Sequence, residues 1–85
     1  MNTRKQIYKP TVKEYLFPIG NALTPVNIYD EGETRTKDDL LYWGTKTDAM
    51  KGEYADYHIV DVNIRDFGGN VGLEIYIIKS RGPRA

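Results

Sequence analysis

One histidine, twelve carboxylates and no cysteine are the chemical inventory of this 85-residue chain. Without cysteine there is no disulfide framework, thiolate zinc site, iron–sulfur cluster or thiol nucleophile, so a small fold must stand on its core alone. His58 falls in YHIVDVNIR, on the strand face that carries Val60 and Val62. A general base there needs a nucleophile and an orienting carboxylate within reach, and no spacing marks either, so His58 reads as a histidine at the rim of the core. The carboxylates gather as Asp30, Glu31 and Glu33, then Asp38 and Asp39, then Asp48, Glu53 and Asp56. The run DEGET lacks the donor spacing and the closing glutamate of a calcium loop, and a transition-metal site with one histidine would rest on carboxylates alone. Gly68 and Gly69 join two strand patterns instead of leading from a strand into a helix, so they do not make a phosphate cradle. No catalytic residue, metal site or cofactor is expected, and the chain reads as a non-enzyme.

Two residue sets suit binding instead. The first is Tyr42, Trp43, Tyr54, Tyr57, Ile59, Tyr76 and Ile78, in a chain with seven tyrosines. Tyrosine and tryptophan combine an apolar body with a polar tip and are favoured at interface centres, but the same residues can fill the inner faces of a small barrel. Asp38 and Asp39 join this set as contacts of an acidic docking surface, although the first turn of a helix explains them equally well. The second set is Arg4, Lys5, Lys9 and Lys13 with Tyr15 and Phe17. If Lys13, Tyr15 and Phe17 share a strand face, they resemble the aromatic platforms and cations of single-strand nucleic-acid surfaces. A solvated tail leading into a core strand accounts for the same residues.

The elements that must position these sets are clearest at the C-terminal end. YHIVDVNIR (57–65) and VGLEIYIIK (71–79) alternate at period two around FGGN, which predicts a β-hairpin. A two-residue turn at Gly68 and Gly69 and a four-residue loop from Phe67 to Asn70 imply the same register. It sets Ile64 opposite Leu73, Val62 opposite Ile75 and Val60 opposite Ile77, six aliphatics on one face. Each contributes about 1.5–3 kcal/mol if fully buried. On the other face Asn63 meets Glu74 and Arg65 meets Gly72, but at the open end Ile59 meets Ile78 between Tyr57 and Tyr76, so a cover for that end is expected. Upstream, 11–17 alternates imperfectly and reads as a strand, and 24–30 as a second strand that Pro25 sends to an edge or to its own start. Thr36 is placed to cap a short helix over KDDLLYW that lays Leu40, Leu41 and Trp43 on the sheet, with Gly44 past its end; Thr47 begins a weaker one that Gly52 closes. The expected fold is α+β, mainly β: a small antiparallel sheet or partly open barrel with one short helix and a C-terminal β-hairpin.

Residues 1–85 are expected to form a single domain with basic ends at 1–10 and 80–85. A formal net charge of zero conceals four cations and no acid in residues 1–13, and Lys79, Arg81 and Arg84 at the other end, so all twelve carboxylates lie between them. The N-terminal residues are charged with no apolar run behind them, so neither a secretory signal nor a spanning helix is expected, no membrane partner follows, and the cytoplasm is the default location. The leading functional expectation is a protein-binding module of inhibitor or adaptor type, its acidic body docking on a partner protein such as the basic groove of a nucleic-acid-handling enzyme or complex. Two alternatives stand beside it: a nucleic-acid-binding domain using the basic ends, and a structural subunit or homodimer whose hairpin, through 57–65 or 71–79, extends a sheet across a two-fold axis.

Overall fold

The structure, a computed structural model, describes residues 9–31 and 40–83. Residues Thr11 to Glu14 open a helix, α1 (Val12–Leu16), where a strand was expected over 11–17. The Thr11 hydroxyl accepts from the Glu14 N–H at 3.2 Å while the Glu14 carboxylate accepts from the Thr11 N–H at 2.9 Å. That reciprocal pair satisfies two of the donors a helix start leaves open, and it outweighs an imperfect alternation. Val12 and Leu16 share the buried stripe of this short helix.

Strand β1 (Pro25–Asp30) starts at its proline, the second of the two placements expected for it, is an inner strand and not an edge, and pairs antiparallel with β2 (Leu40–Thr45). The helix expected over KDDLLYW is therefore corrected: Leu40, Leu41, Tyr42 and Trp43 are strand residues, and Thr36, Asp38 and Asp39 lie outside the described residues. Apolar residues at such short spacing suit either element, and pairing with β1 decides for the strand. Helix α2 (Lys46–Lys51) follows directly, capped by Thr45 rather than Thr47, with the Thr45 hydroxyl accepting from the Asp48 N–H at 3.3 Å and Gly52 at its C-cap.

The hairpin forms from β3 (Ile59–Phe67) and β4 (Asn70–Ile77). Gly68 and Gly69 make its two-residue turn, with φ of +67° and +97°, values that a side chain disfavours and that match the twist of the flanking strands. Ile64 faces Leu73 and Val62 faces Ile75 as expected, but a bulge at Val60 puts Ile59, not Val60, opposite Ile77. The extra residue shifts the side-chain parity, so Ile59 enters the core instead of meeting Ile78 on the other face.

The four strands form one open sheet in the order β2-β1-β4-β3. The class is α+β and mainly β, but the sheet is mixed, because the two inner strands β1 and β4 run parallel. Parallel neighbours cannot be joined by a tight turn, so the chain passes from one edge strand, β2, to the other, β3, by way of α2. That passage and α1 cover one face. Val12, Leu16 and Ala49 from the helices pack with Val26 and Ile28 of β1, Leu73, Ile75 and Ile77 of β4, Ile59 and Tyr54. Among the described residues no helix is long and apolar enough to cross a membrane.

Candidate functional site

Strand parity divides the side chains between two faces, and the register assigns them. Val26, Ile28, Leu73 and Ile75 belong to the helix-covered core, so their alternates Asn27, Tyr29, Glu74 and Tyr76 lie on the opposite face. Pairing extends this open face to Trp43 of β2, opposite Asn27, and to Asn63 and Arg65 of β3, opposite Glu74 and Gly72. The aromatic set expected to bind a partner is thereby split. Trp43 and Tyr76 are on the face away from the helices, Trp43 exposed and Tyr76 buried, while Ile59 and Tyr54 are buried in the helix-covered core and Tyr42 and Tyr57 pack against it. Tyr54 and Tyr57 meet edge to face, centroids 5.3 Å apart, which is an internal contact. Ile78 follows β4, half-buried, just before a single 3-10 turn at Lys79–Arg81.

The open face carries a connected polar and aromatic arrangement. Tyr29 and Tyr76, adjacent in the parallel register, stack with centroids 5.3 Å apart and planes inclined by 22°. The Tyr76 hydroxyl donates to Glu74 Oε1 at 3.2 Å, and Arg65 Nη1 donates to Glu74 Oε2 at 2.8 Å. Both carboxylate oxygens are thus engaged, as a side chain only 8% exposed requires. Asn27 Nδ2 donates to the Tyr29 hydroxyl at 3.3 Å. Trp43 sits at the β2 margin of this face and is 73% exposed. At the other margin the Phe67 ring lies over Gly72, so close that a Cβ built there would come within 2.7 Å of both the ring and the Pro25 carbonyl oxygen.

Asn27, Tyr29, Glu74 and Arg65 were not singled out as site residues from the sequence. The alternation in TPVNIYD places Asn27 and Tyr29 on one side of their strand, but only the parallel pairing of β1 with β4 sets them beside Glu74 and Tyr76.

The second set is not assembled as expected. Arg4 and Lys5 lie outside the described residues. Lys13 and Tyr15 belong to a helix and Phe17 is its C-cap, so at about 100° per residue Tyr15 turns away from Lys13 and Phe17. Tyr15 packs against the core, while Lys13 and Phe17, with Glu14 and Met50, line a shallow apolar groove between α1 and α2. Lys13 is 4.0 Å from Asp56, both exposed, and Lys9 is exposed. His58 is also exposed instead of lining the core rim; its Nδ1 is 2.7 Å from the Lys9 carbonyl oxygen, beside the bridge between Thr11 and His58. Among the described residues no three metal-binding side chains converge.

Two tyrosines have perturbed acidity, and both belong to the core side. Burial raises the Tyr42 phenol above its ordinary pKa, with the Asp48 charge adding to the rise and a hydrogen bond with the Thr45 backbone opposing it. Burial likewise raises Tyr54, helped by Glu53 and opposed by Lys79. These shifts mark structural tyrosines, not groups poised for proton transfer. No protein-family model, curated protein or solved structure matches this chain.

Proposed function

We propose that the chain is a non-enzymatic protein-binding module that docks through the open face of its sheet. The observation that carries this reading is Trp43, 73% exposed on an edge strand, on the same sheet face as the Tyr29–Tyr76 stack, which neither helix covers. Aromatic side chains with satisfied polar tips supply large contact area at small entropic cost, and tryptophan and tyrosine dominate the residues that carry binding energy at protein interfaces. The Glu74 network supports the same use, since its internal hydrogen bonds hold the face in one arrangement before a partner arrives. The concentration of all twelve carboxylates between the basic ends favours a partner with a basic surface, of the sort that handles nucleic acid.

Capture by tagged full-length chain, with and without nuclease, tests this when Trp43→Ala and Phe17→Ala are run in parallel. Phe17 is as exposed as Trp43 but belongs to the helix side, so it controls for nonspecific apolar binding. A partner protein that survives nuclease, binds at least about tenfold more weakly to Trp43→Ala and equally to Phe17→Ala is the expected result. Capture that disappears with nuclease, or that ignores Trp43, overturns the reading.

A further inference from the structure

On the core face of β4 the exposure changes within one step of the alternation. Ile77 and Ile75 are fully buried and Leu73 is 7% exposed, but Val71, next on the same face, is 68% exposed. Ile64, paired with Leu73 across the hairpin, is 71% exposed. The helix layer therefore ends at Leu73, and two aliphatics of the core face continue past it. Leu23, between α1 and β1, is exposed beside them. Val71 is a ridge between two hollows, one lined by Leu23, Pro25 and Asn70 and the other by Ile19, Ile64 and Leu73. The bounds Lys9, Glu31 and Leu40 of the described segments are at the far end of the sheet, beside His58, Ile77 and Tyr29.

Charge limits what covers such a patch. Asn21, Thr24 and Asn70 complete its rim, and among the described residues no charged side chain lines either hollow. Asp66, which pairs with Val71, turns its carboxylate into the hairpin turn, where it accepts the Gly69 N–H at 2.7 Å. A partner with a basic surface finds no complement here. A second copy does, because amides and hydroxyls both donate and accept and so pair with their own kind, and because at a formal net charge of zero two copies carry no net repulsion. Area sets the strength. Three mostly exposed aliphatic side chains offer roughly 250 Å² of apolar surface per copy. Interfaces are a little over half apolar, so this core implies roughly 400–500 Å² per copy, below what a tight dimer buries and in the range of weak ones.

We propose that two copies of this chain associate core face to core face at the hairpin end, about a two-fold axis beside Val71. Val71 of each copy seats in the hollow between Ile19 and Ile64 of the other, and each hairpin end supplies the layer that the other's helices do not reach. Trp43 is on the opposite sheet face, so association leaves it uncovered and the dimer presents it twice.

Sedimentation of the full chain from about 10 μM to about 1 mM is expected to pass from monomer toward dimer mass. Val71→Lys and Val71→Glu each oppose like charges across the axis and should weaken association at least about tenfold, while mixing the two should restore it as a heterodimer. Ile64→Thr keeps the strand preference, removes apolar surface from the contact and should weaken association at least about fivefold. In this cysteine-free chain Val71→Cys places one sulfur from each copy beside the axis, where oxidation links them. Lys51→Cys, exposed on α2, is the control, and this arm stands even if a charge variant misfolds. Monomer mass at the highest concentration, undiminished association of folded Val71→Lys, a mixture that associates no better than either variant alone, or linking of Val71→Cys no faster than the control overturns the proposal.

Discussion

Glu74 and Gly72 alternate along β4 and set opposite kinds of constraint on the open face. A buried carboxylate is costly unless its oxygens are met, and Arg65 with Tyr76 meets them. Arg65→Ala leaves Glu74 with the tyrosine hydroxyl alone, and about 1–3 kcal/mol of stability should be lost, read as a lowered urea midpoint at unchanged slope. Gly72 is constrained by space. Gly72→Ala must displace the Phe67 ring and strain the approach of the Pro25 carbonyl, at an expected cost of about 1–3 kcal/mol in the same assay. Trp43→Ala, by contrast, removes a mostly exposed ring and should change stability by no more than about 0.5 kcal/mol. A large loss there would mean that Trp43 packs against the fold rather than presenting itself to a partner.

At the scale of elements, capping and turn chemistry decide what short segments become. Helix α1 has only five residues, too few to persist on intrinsic propensity, so its ends and its packing hold it. Thr11→Ala removes the hydroxyl that meets the Glu14 N–H and should cost about 1 kcal/mol, with amide exchange at Glu14 accelerating before that of the β4 amides. The same T-x-x-E spacing was present in the sequence, where an alternating pattern over 11–17 obscured it. The hairpin was legible because its information is local: period two on each side of two glycines that both adopt positive φ. What the pattern did not show was the bulge at Val60, whose one-residue shift carries Ile59 from the expected outer face into the core. A bulge depends on what the strand packs against, and nothing in the alternation marks it.

Over the whole molecule, the helices and the crossover between edge strands place one sheet face in the core; neither helix covers the other, on which Trp43 is exposed while Glu74 and Tyr76 are buried. Tyr42 and Tyr54 have folded-state pKa values raised above the ordinary 10.0, chiefly by burial. The unfolded chain therefore releases these protons first as pH rises, so their contribution is fully present below pH of about 10 and is lost through the interval up to their folded values. Stability should fall on that alkaline limb, and Tyr42→Phe with Tyr54→Phe should flatten it in urea titrations between about pH 9 and 11.

Composition and local spacing alone determined the absence of thiol chemistry, the hairpin with most of its register, the mainly β class and a strand near 24–30. Each depends on residue type or on neighbours a few positions apart, which a linear pattern records. Tertiary structure decided the rest. The parallel contact between β1 and β4 joins segments separated by the whole of β2, α2 and β3, and no short-range signal encodes it. That contact assigns the tyrosines: Tyr54 to the interior, Tyr29 and Tyr76 to the opposite face beside Glu74. Buried and interfacial aromatics are the same residue types, and only the position of the helices distinguishes them.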